Sequence, residues 1–510
     1  MSGDGRDGND SMATTLNKFG FLLKNSSWFF LVDVVARGIA MALIPLYTTY
    51  MSPADYGIVA ICLTLSQVVG SFNGLGLFNF ADRLLYRFHG RPQQLSVLLG
   101  SIYAFAFSFA VLTSATLTFF PGLIHKTFFA DSKLPSGAII FIPIWLTFFR
   151  TVSEALCGYQ MINQLGRQHF AFNVTKNLSL HILKIIALVL LRLGVLGFLM
   201  AELVTEGLIA ISSAVVLLRM VKPRIVIRRR KIIRTGLRYG LPYIPNNLGG
   251  SLISYFDRIL LLRLSGMWDV GLYSFALTFT TSLFNLAWNP IRSGIAPELP
   301  RQLDSPSRHP DAHRNMTEFL YASTLFFSVI MTSISLFGKE VLQTLANRRF
   351  HPAYTLFPLF CVCLLLQNAR EIVQFPIMIR NKTAFFPVNT FSAVAVNIVA
   401  NLILIPIWGT AGAALAAVLA NFGLFLAALL YAQRLVRIDY SYIVASLPIL
   451  ISSGVVVSTM CISTVLAASL VWKAGLMVLY MVFCLSYVSR NCPKIAANIP
   501  AFSALLRVWS

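Results

Sequence analysis

Long apolar runs separated by short polar segments extend from about residue 26 to residue 489 of the sequence. Each run has about the 20 mainly apolar residues that an α-helix needs to cross the hydrocarbon core of a bilayer. The pattern therefore predicts an all-α polytopic membrane protein with about fourteen transmembrane helices. Their approximate limits are 26–50, 56–79, 96–120, 136–158, 170–191, 194–218, 237–263, 267–291, 315–338, 353–377, 384–406, 409–432, 442–464 and 468–489.

An internal repeat divides these helices into two groups. Three landmarks recur at an offset of 214 or 215 residues, which chance does not explain in a Leu/Ala-rich chain. The repeat predicts two six-helix bundles related by a pseudo-two-fold axis along the membrane normal, with a C-terminal helix pair outside the repeat. The landmarks are Tyr50–Gly57 with Leu264–Gly271, Gly194–Gly197 with Gly409–Gly412, and the cationic loop at Arg167 with that at Lys382.

The hydrophobic pattern and the repeat together predict six segments. These are a cytoplasmic N-terminal tail at 1–25, an N-terminal six-helix bundle at 26–218, a basic cytoplasmic linker at 219–236, a C-terminal six-helix bundle at 237–432, an extra helix pair at 433–489 and a cytoplasmic tail at 490–510.

Composition favours a membrane protein and excludes a nucleic-acid-binding one. The chain is 57% hydrophobic and 12% charged, whereas soluble globular chains carry about 25% charged residues. The net charge of +22 is spread between apolar runs, and no separate basic domain could hold a duplex. Roughly 26 of the 41 Lys and Arg residues fall on one side of the predicted topology, so the positive-inside rule places both termini in the cytoplasm.

Motifs for enzymatic chemistry are absent from the sequence. The seven cysteines form no CxxC or Cys/His cluster, so we expect no metal site. There is no GxxxxGK[ST] phosphate loop, and neither HExxH nor GxSxG occurs. We therefore expect no cofactor, no catalytic residues and no enzymatic activity.

Ionisable residues inside the predicted helices are the candidate site, because such residues are costly unless they face a polar cavity or a partner. Pairs at spacing four, Asp33 with Arg37 and Arg150 with Glu154, share a helix face and can neutralise each other. The set predicts a hydrophilic cavity between the bundles that suits an anionic headgroup, especially a pyrophosphate. The candidate substrate-binding cations are Arg37, Arg150, Lys176, Lys184, Arg258 and Arg370. The candidate ion-coupling or charge-balancing acids are Asp33, Glu154, Glu202 and Asp257.

The fifth predicted helix carries a polar stripe in addition. Asn173, Asn177, His181 and Lys184 follow one another at nearly helical spacing on an otherwise apolar helix. One polar face on such a helix predicts a water-lined interior.

Several motifs resemble a known family, the Wzx-type polysaccharide and O-antigen flippases of the multidrug/oligosaccharidyl-lipid/polysaccharide exporter superfamily. The similarity covers about 20–440 and is carried by short motifs. These are Pro45–Gly57, Tyr239–Pro245, Asp257-Arg258, Gly271–Tyr273, Trp288–Pro290 and Gly409–Gly412. The resemblance implies a fourteen-helix, inverted-V transporter that works by alternating access with a cationic central cavity, and it implies roles for Asp257 and Arg258 by position.

The function that the resemblance implies is translocation of an undecaprenyl-pyrophosphate-linked oligosaccharide across the bacterial inner membrane. Expected partners are this lipid-linked glycan, the bilayer, H⁺ or Na⁺ as a coupling ion, and polysaccharide polymerase and export machinery. Three alternatives stay open: a multidrug or toxin-extrusion antiporter, a lipid II flippase, and a membrane-embedded glycan polymerase or ligase. The in-span cations favour anionic substrates over the cationic drugs of an antiporter, and the external loops are short for a polymerase.

Overall fold

The computed structural model describes most of the chain, and its described residues contain helices but no strand. The predicted all-α class is therefore confirmed. The described residues are 28, 31–87, 92–129, 137–221, 230–241, 243–295, 309–380, 382, 384–436, 441–461 and 470–491. Most of the two predicted tails and residues 222–229 of the predicted linker lie outside them.

Long apolar helices alternate with short amphipathic ones in the first half of the chain. The helices are α1 (Leu31–Ala42), α2 (Ile44–Tyr50), α3 (Pro53–Asn73), α4 (Leu77–Arg87), α5 (Pro92–Thr118), α6 (Pro121–Phe128), α7 (Phe141–Ile162), α8 (Gly166–Ile185), α9 (Gly194–Val221) and α10 (Arg230–Gly240). The hydrophobic pattern alone does not separate α4 and α10 from their neighbours. In α4, Phe80 and Leu84 are buried while Arg83 is exposed, which is the periodicity of a helix that packs one face.

The second half of the chain continues with eight helices within the described residues. They are α11 (Tyr243–Leu264), α12 (Met267–Ile295), α13 (His309–Leu345), α14 (Phe357–Val373), α15 (Phe375–Ile379), α16 (Phe385–Leu435), α17 (Tyr442–Cys461) and α18 (Leu470–Asn491). A 3₁₀ segment, Arg348–Leu356, leads into α14.

Nine helices of the described ranges are long and apolar enough to span a bilayer, or ten if the bent pair α1 and α2 is one span. One of the nine, α16, has 51 residues and would be about 77 Å long, which is enough for two spans. The prediction of about fourteen spans also includes α11 and α12, which do not reach this length and hydropathy, and α17, whose described stretch Ser446–Val455 is a shorter apolar helix. In α11 the charges of Asp257, Arg258 and Arg263 lower the hydropathy. The protein is a multi-pass membrane protein, and the number fourteen stays a prediction.

The break inside α16 lies where the sequence pattern predicts two closely joined helices. Gly409 has φ 54° and ψ −126°, a backbone conformation that a residue with a Cβ rarely adopts. Pro406, three residues earlier, cannot donate a backbone hydrogen bond in the helix. Together these residues separate two apolar helices without a polar loop.

The described residues form two compact units. The first unit comprises residues up to Met51, Ile58–Ser251 and Trp288–Gly294, and the second comprises Ser52–Gly57, Leu252–Ala287 and residues from Ile295 on. The segment boundaries that the sequence predicts stay predictions. In the first unit, one apolar core joins α4, α5, α7 and α9 through side chains such as Leu85 and Leu156.

The repeated motifs Tyr50–Gly57 and Leu264–Gly271 contact each other within the second unit. A Cβ on Gly57 would lie 2.5 Å from the carbonyl oxygen of Met267, and a Cβ on Gly271 would clash with the carbonyl oxygen of Pro53. These contacts are reciprocal, because Pro53 and Gly57 correspond to Met267 and Gly271 in the repeat. The reciprocity agrees with pseudo-two-fold symmetry and explains why both motifs carry glycine.

The C-terminal pair α17 and α18 packs on α13 through polar side chains. The Tyr480 hydroxyl donates to Ser328 Oγ at 2.5 Å, and Thr332 Oγ1 lies 2.7 Å from Ser452 Oγ. Because hydrocarbon offers no alternative partner, such hydrogen bonds hold helices together inside a membrane. The extra pair is therefore part of the second unit.

Candidate functional site

A group of six charged side chains lies inside the first unit, on α7, α8 and α9. Three are cations and three are carboxylates, so the group is formally neutral. A buried carboxylate without a cation is strongly unfavourable in an apolar medium, which explains why the charges cluster. Five of the six form ion pairs, namely Arg150, Lys176, Lys184, Glu202 and Glu206, and the sixth, Glu154 on α7, is exposed and forms none.

Arg150 connects α7 to two carboxylates of α9. Its Nη2 donates to Glu202 Oε1 at 2.7 Å, and its Nε donates to Glu206 Oε1 at 3.3 Å. Glu202 and Glu206 are one helical turn apart and therefore lie on the same face of α9. Both carboxylates are buried, with side chains 7% and 5% exposed, whereas the Arg150 side chain is 29% exposed.

The two lysines of α8 complete the ion pairs. Lys176 Nζ lies 2.8 Å from Glu206 Oε1, and Lys184 Nζ lies 3.5 Å from Glu202 Oε2. Lys184 is buried, and its ammonium lies 3.8 Å from the centre of the Phe198 ring. The Lys176 side chain is 24% exposed. The two lysines therefore differ: Lys184 is enclosed, and Lys176 keeps an accessible side.

The polar stripe on α8 is buried at His181 and Lys184 and partly exposed at Asn173 and Asn177. His181 is buried, and its Nδ1 lies 2.7 Å from the Tyr47 hydroxyl. Asn173 and Asn177 each donate to a backbone carbonyl one turn earlier on the same helix. A π-helical turn, Ile186–Leu190, follows α8 directly, and such turns are common at functional sites.

The intrahelical pair predicted for α7 is not formed in this structure. Arg150 turns toward α9, and Glu154 is exposed with no cation of the described residues within ion-pair distance. A buried carboxylate gains more from a cation than an exposed one does, because water screens the exposed carboxylate. Glu202 and Glu206 therefore compete successfully for Arg150.

The first helix carries a second, looser charged pair. Arg37 Nη2 lies 3.9 Å from Asp33 Oδ1, with side chains 26% and 39% exposed. Asp33 also accepts a hydrogen bond from Asn289 Nδ2 at 2.7 Å. Arg37 Nε is buried and has no hydrogen-bond acceptor among the described residues. This donor is therefore unsatisfied within the described residues.

The adjacent residues Asp257 and Arg258 of α11 have separate partners in the second unit. Asp257 is buried and accepts hydrogen bonds from Tyr273 Oη, Asn397 Nδ2 and Asn401 Nδ2, each at 2.8 Å. Arg258 donates from Nε to Ser274 Oγ at 3.0 Å and from Nη1 to a backbone carbonyl. Neighbours in a helix point about 100° apart, so the two side chains diverge.

Arg370 of α14 is the last of the six predicted cations. Its Nε is buried and has no hydrogen-bond acceptor among the described residues. Arg37, in the first unit, shares this property. A buried guanidinium donor without an acceptor is unfavourable, and an anionic ligand would satisfy it.

Some residues of these groups lie outside the set predicted from charge. Glu206 lies one turn after Glu202 and is one of the in-span charges of the sixth predicted helix, although it is not among the four candidate acids. Tyr47, Tyr273, Asn289, Asn397 and Asn401 carry no charge, so an argument from in-span charges does not find them. Asn397 and Asn401 also lie one turn apart in an apolar helix, which is the signal that could have identified them.

Within the described ranges, no three His, Cys, Asp or Glu side chains are grouped as metal ligands. The site chemistry of these ranges is instead that of guanidinium, ammonium, amide and carboxylate groups. Such groups bind anions and small hard cations.

Comparison with known structures identifies the fold. The inward closed conformation of the lipid II flippase MurJ matches with a TM-score of 0.68 and 13% identity, over 92% of this chain and 99% of that chain. An inward-facing multidrug resistance MATE family transporter of the MOP superfamily matches with a TM-score of 0.59 and 15% identity, over 79% and 94%. A MOP superfamily transporter from Pyrococcus furiosus matches with a TM-score of 0.55 and 13% identity, over 81% and 95%.

The family match confirms the resemblance drawn from the sequence motifs. No curated protein sequence matches this chain. The family model described as polysaccharide biosynthesis protein matches residues 22–303, which is more than half of the chain. The fold is shared with a lipid II flippase and with a MATE family transporter. This protein belongs to the polysaccharide biosynthesis protein family.

Proposed function

We propose that the protein is a flippase that moves an undecaprenyl-pyrophosphate-linked oligosaccharide repeat unit across the bacterial inner membrane. The product would serve surface polysaccharide synthesis, such as O-antigen, capsule or exopolysaccharide. Family membership and the transporter fold support this class of function. The observation that carries the substrate assignment is the set of cations with accessible or unsatisfied donors inside apolar helices.

The proposed roles of the cations follow from their surroundings. Arg150 and Lys176 keep exposed sides, and Arg37 and Arg370 each keep a buried Nε without an acceptor among the described residues. These four side chains have donors to offer to a diphosphate or a saccharide. Arg258 uses its Nε and Nη1 within the second unit and would contribute mainly charge. Lys184 is enclosed and would act through Glu202.

The lipid carrier has an apolar tail and a polar headgroup, and these need different surroundings. The polyprenyl tail is apolar and would stay in the bilayer, while the diphosphate and sugars require polar side chains in place of water. Alternating access would expose these side chains first to the cytoplasm and then to the outside. No nucleotide-binding motif occurs in the sequence, so we propose that an ion gradient supplies the direction.

Asp257 is the acid best suited to bind a coupling ion. Two asparagine side chains and a tyrosine hydroxyl surround its buried carboxylate, and these groups contain the hard oxygen ligands that Na⁺ prefers. Asn401 Oδ1 is buried and has no hydrogen-bond donor among the described residues, so one oxygen is already available. We propose that H⁺ or Na⁺ binds here. Asp33, Glu154 and Glu202 would then balance charge.

A second candidate is transport of lipid II. The structural similarity to a lipid II flippase extends over 99% of that chain, although at 13% identity it shows the fold alone. Lipid II also carries a diphosphate on a polyprenyl tail, so the same cations would suit it. The two candidates differ in the glycan and therefore in the phenotype of a deletion.

Deletion of the gene in its bacterium tests the proposal. We expect undecaprenyl-linked repeat units to accumulate on the cytoplasmic leaflet, measured by lipid extraction with mass spectrometry and by leaflet-specific lectin labelling. Accumulation of lipid II would instead support the second candidate. Repeat units that reach the outer leaflet but stay unpolymerised would indicate a polymerase and contradict the flippase.

A further inference from the structure

The guanidinium group of Arg150 is held by one edge only. Its Nε and Nη2 form the side edge of the planar fork, and Glu206 and Glu202 occupy this edge. Nη1 donates to no acceptor among the described residues, and 29% of the side chain is exposed. The second edge, Nη1 with Nη2, therefore stays available for a bidentate contact to an anion.

Glu206 holds two cations through a single oxygen atom. Arg150 Nε at 3.3 Å and Lys176 Nζ at 2.8 Å both contact its Oε1. Because they share this atom, the two nitrogens lie within about 6 Å of each other. Two cations at this separation repel each other, and the shared carboxylate offsets this repulsion. Glu206 thus supplies the anion that sets the spacing of the pair.

The carboxylates and the cations differ in access. Glu202 and Glu206 are almost fully buried, and both cations keep about a quarter of their side chains exposed. The cations are therefore more accessible to a ligand than the carboxylates are. Lys184 on the enclosed side adds a second contact to Glu202 and helps to fix its position.

We infer that Glu206, with Glu202, is a positioning residue that holds Arg150 and Lys176 as a two-point clamp selective for a diphosphate over a monophosphate. The inference rests on the proposed function and adds how that site distinguishes its substrate. The Arg150 fork binds one phosphate, and the Lys176 ammonium binds the other. A monophosphate engages only one of the two cations, so their spacing matters less to it.

Glu206→Gln should weaken diphosphate binding, which is the opposite of the effect expected from its charge alone. Glu206→Gln removes a negative charge from a site for anions, so simple electrostatics predicts tighter binding of every anion. The clamp predicts the opposite for a diphosphate, because Arg150 and Lys176 would separate once the shared carboxylate is neutral. Glu154→Gln makes the same charge change at an exposed residue that contacts neither cation within ion-pair distance. It is the matched control.

The experiment measures binding of farnesyl diphosphate and farnesyl monophosphate to the purified full-length protein by microscale thermophoresis. We expect Glu206→Gln to weaken diphosphate binding about tenfold and to change monophosphate binding less than about threefold. Glu154→Gln should bind both probes more tightly than the wild type. Arg150→Lys should lower the ratio of diphosphate to monophosphate affinity, because lysine has no planar fork. This ratio is informative because a general loss of structure would lower both affinities together.

The possible results distinguish a failure of the clamp from a failure of the proposed function. A Glu206→Gln protein that binds the diphosphate as tightly as the wild type, or more tightly, would overturn the clamp and leave the flippase proposal intact. Equal weakening by Glu154→Gln would also overturn it. A wild-type protein that binds neither probe would overturn the proposed function together with the clamp. If Glu206→Gln does not fold, an unchanged affinity ratio in Arg150→Lys overturns the clamp.

Discussion

Glu202 in the first unit and Asp257 in the second are both buried carboxylates on long helices, and their partners differ in kind. Glu202 contacts the cations Arg150 and Lys184, whereas Asp257 accepts hydrogen bonds from neutral amide and hydroxyl groups. An ion pair neutralises a carboxylate and positions its cations, while neutral donors leave the negative charge in place. The first arrangement suits an anionic substrate, and the second suits a small cation. Under the proposed function, the same residue type would therefore serve opposite ligands.

The largest expected effect is that of Arg150→Ala. This change leaves Glu202 and Glu206 buried with one cation fewer, and breaking a buried ion pair costs about 3–5 kcal/mol. Arg258→Ala should lower the free energy of unfolding by less, about 1.5–3 kcal/mol, because Arg258 donates to neutral oxygens and leaves no buried carboxylate without a cation. Urea or thermal unfolding in detergent measures both. Equal losses of unfolding free energy in Arg150→Ala and Arg258→Ala would show that the cation in the first unit is no more important for stability than the one in the second.

Asp257→Asn should have the next largest effect. The new amide nitrogen would face donors that now point to a carboxylate, and leaving buried donors unsatisfied costs about 1–3 kcal/mol. Transport in proteoliposomes should also lose its response to Na⁺ or to pH. Asp82→Asn on α4, where no described residue donates a hydrogen bond to the carboxylate, is the control for the Na⁺ response and should keep it. Retention of the ion response by Asp257→Asn would remove Asp257 from the coupling mechanism.

Asn401→Ala tests the three neutral hydrogen-bond donors around Asp257, and its expected effect is smaller than that of Asp257→Asn. It removes one of the three donors, and interhelical hydrogen bonds in membranes contribute about 0.6 kcal/mol on average. Asn421→Ala is the matched change, because Asn421 donates only to a carbonyl of its own helix. We expect Asn401→Ala to shift the unfolding midpoint measurably and Asn421→Ala to shift it less. A larger shift for Asn421→Ala than for Asn401→Ala would contradict a stabilising role of the donors around Asp257.

The smallest expected effect is that of Asp33→Asn on stability. Its pair with Arg37 spans 3.9 Å, and both side chains are partly exposed. Pairs of this kind contribute about 0–1 kcal/mol, and asparagine can still accept from Asn289. Thermal unfolding should therefore hardly change, in contrast to Arg150→Ala. A loss of unfolding free energy above about 2 kcal/mol would show that this pair contributes as much as the buried ion pairs of Glu202 and Glu206.

Much of the candidate site could be found from charge alone, because a charged side chain inside an apolar helix is conspicuous. Arg150, Lys176, Lys184 and Glu202 were all identified in this way and lie together in the first unit. Their pairing could not be predicted. Spacing four within α7 suggests Arg150 with Glu154, but the choice of Glu202 depends on which carboxylate is buried.

Neutral partners were the main omission. Asn397, Asn401 and Tyr273 are ordinary residues of apolar helices, and only their approach to Asp257 gives them a role. The sequence also does not predict which cations stay accessible. Lys176 and Lys184 share a helix, yet Phe198 and α9 enclose only Lys184.

The sequence by itself determined that the chain is helical and crosses a membrane, since about twenty consecutive apolar residues have no other stable arrangement in hydrocarbon. It also determined the repeat, which is visible as recurring motifs, and the break at Gly409, which depends on local backbone chemistry. Only the tertiary structure decided how each buried charge is neutralised. The reason is that Coulomb and hydrogen-bond energies depend on distances between side chains far apart in the chain, and these distances are set by helix packing.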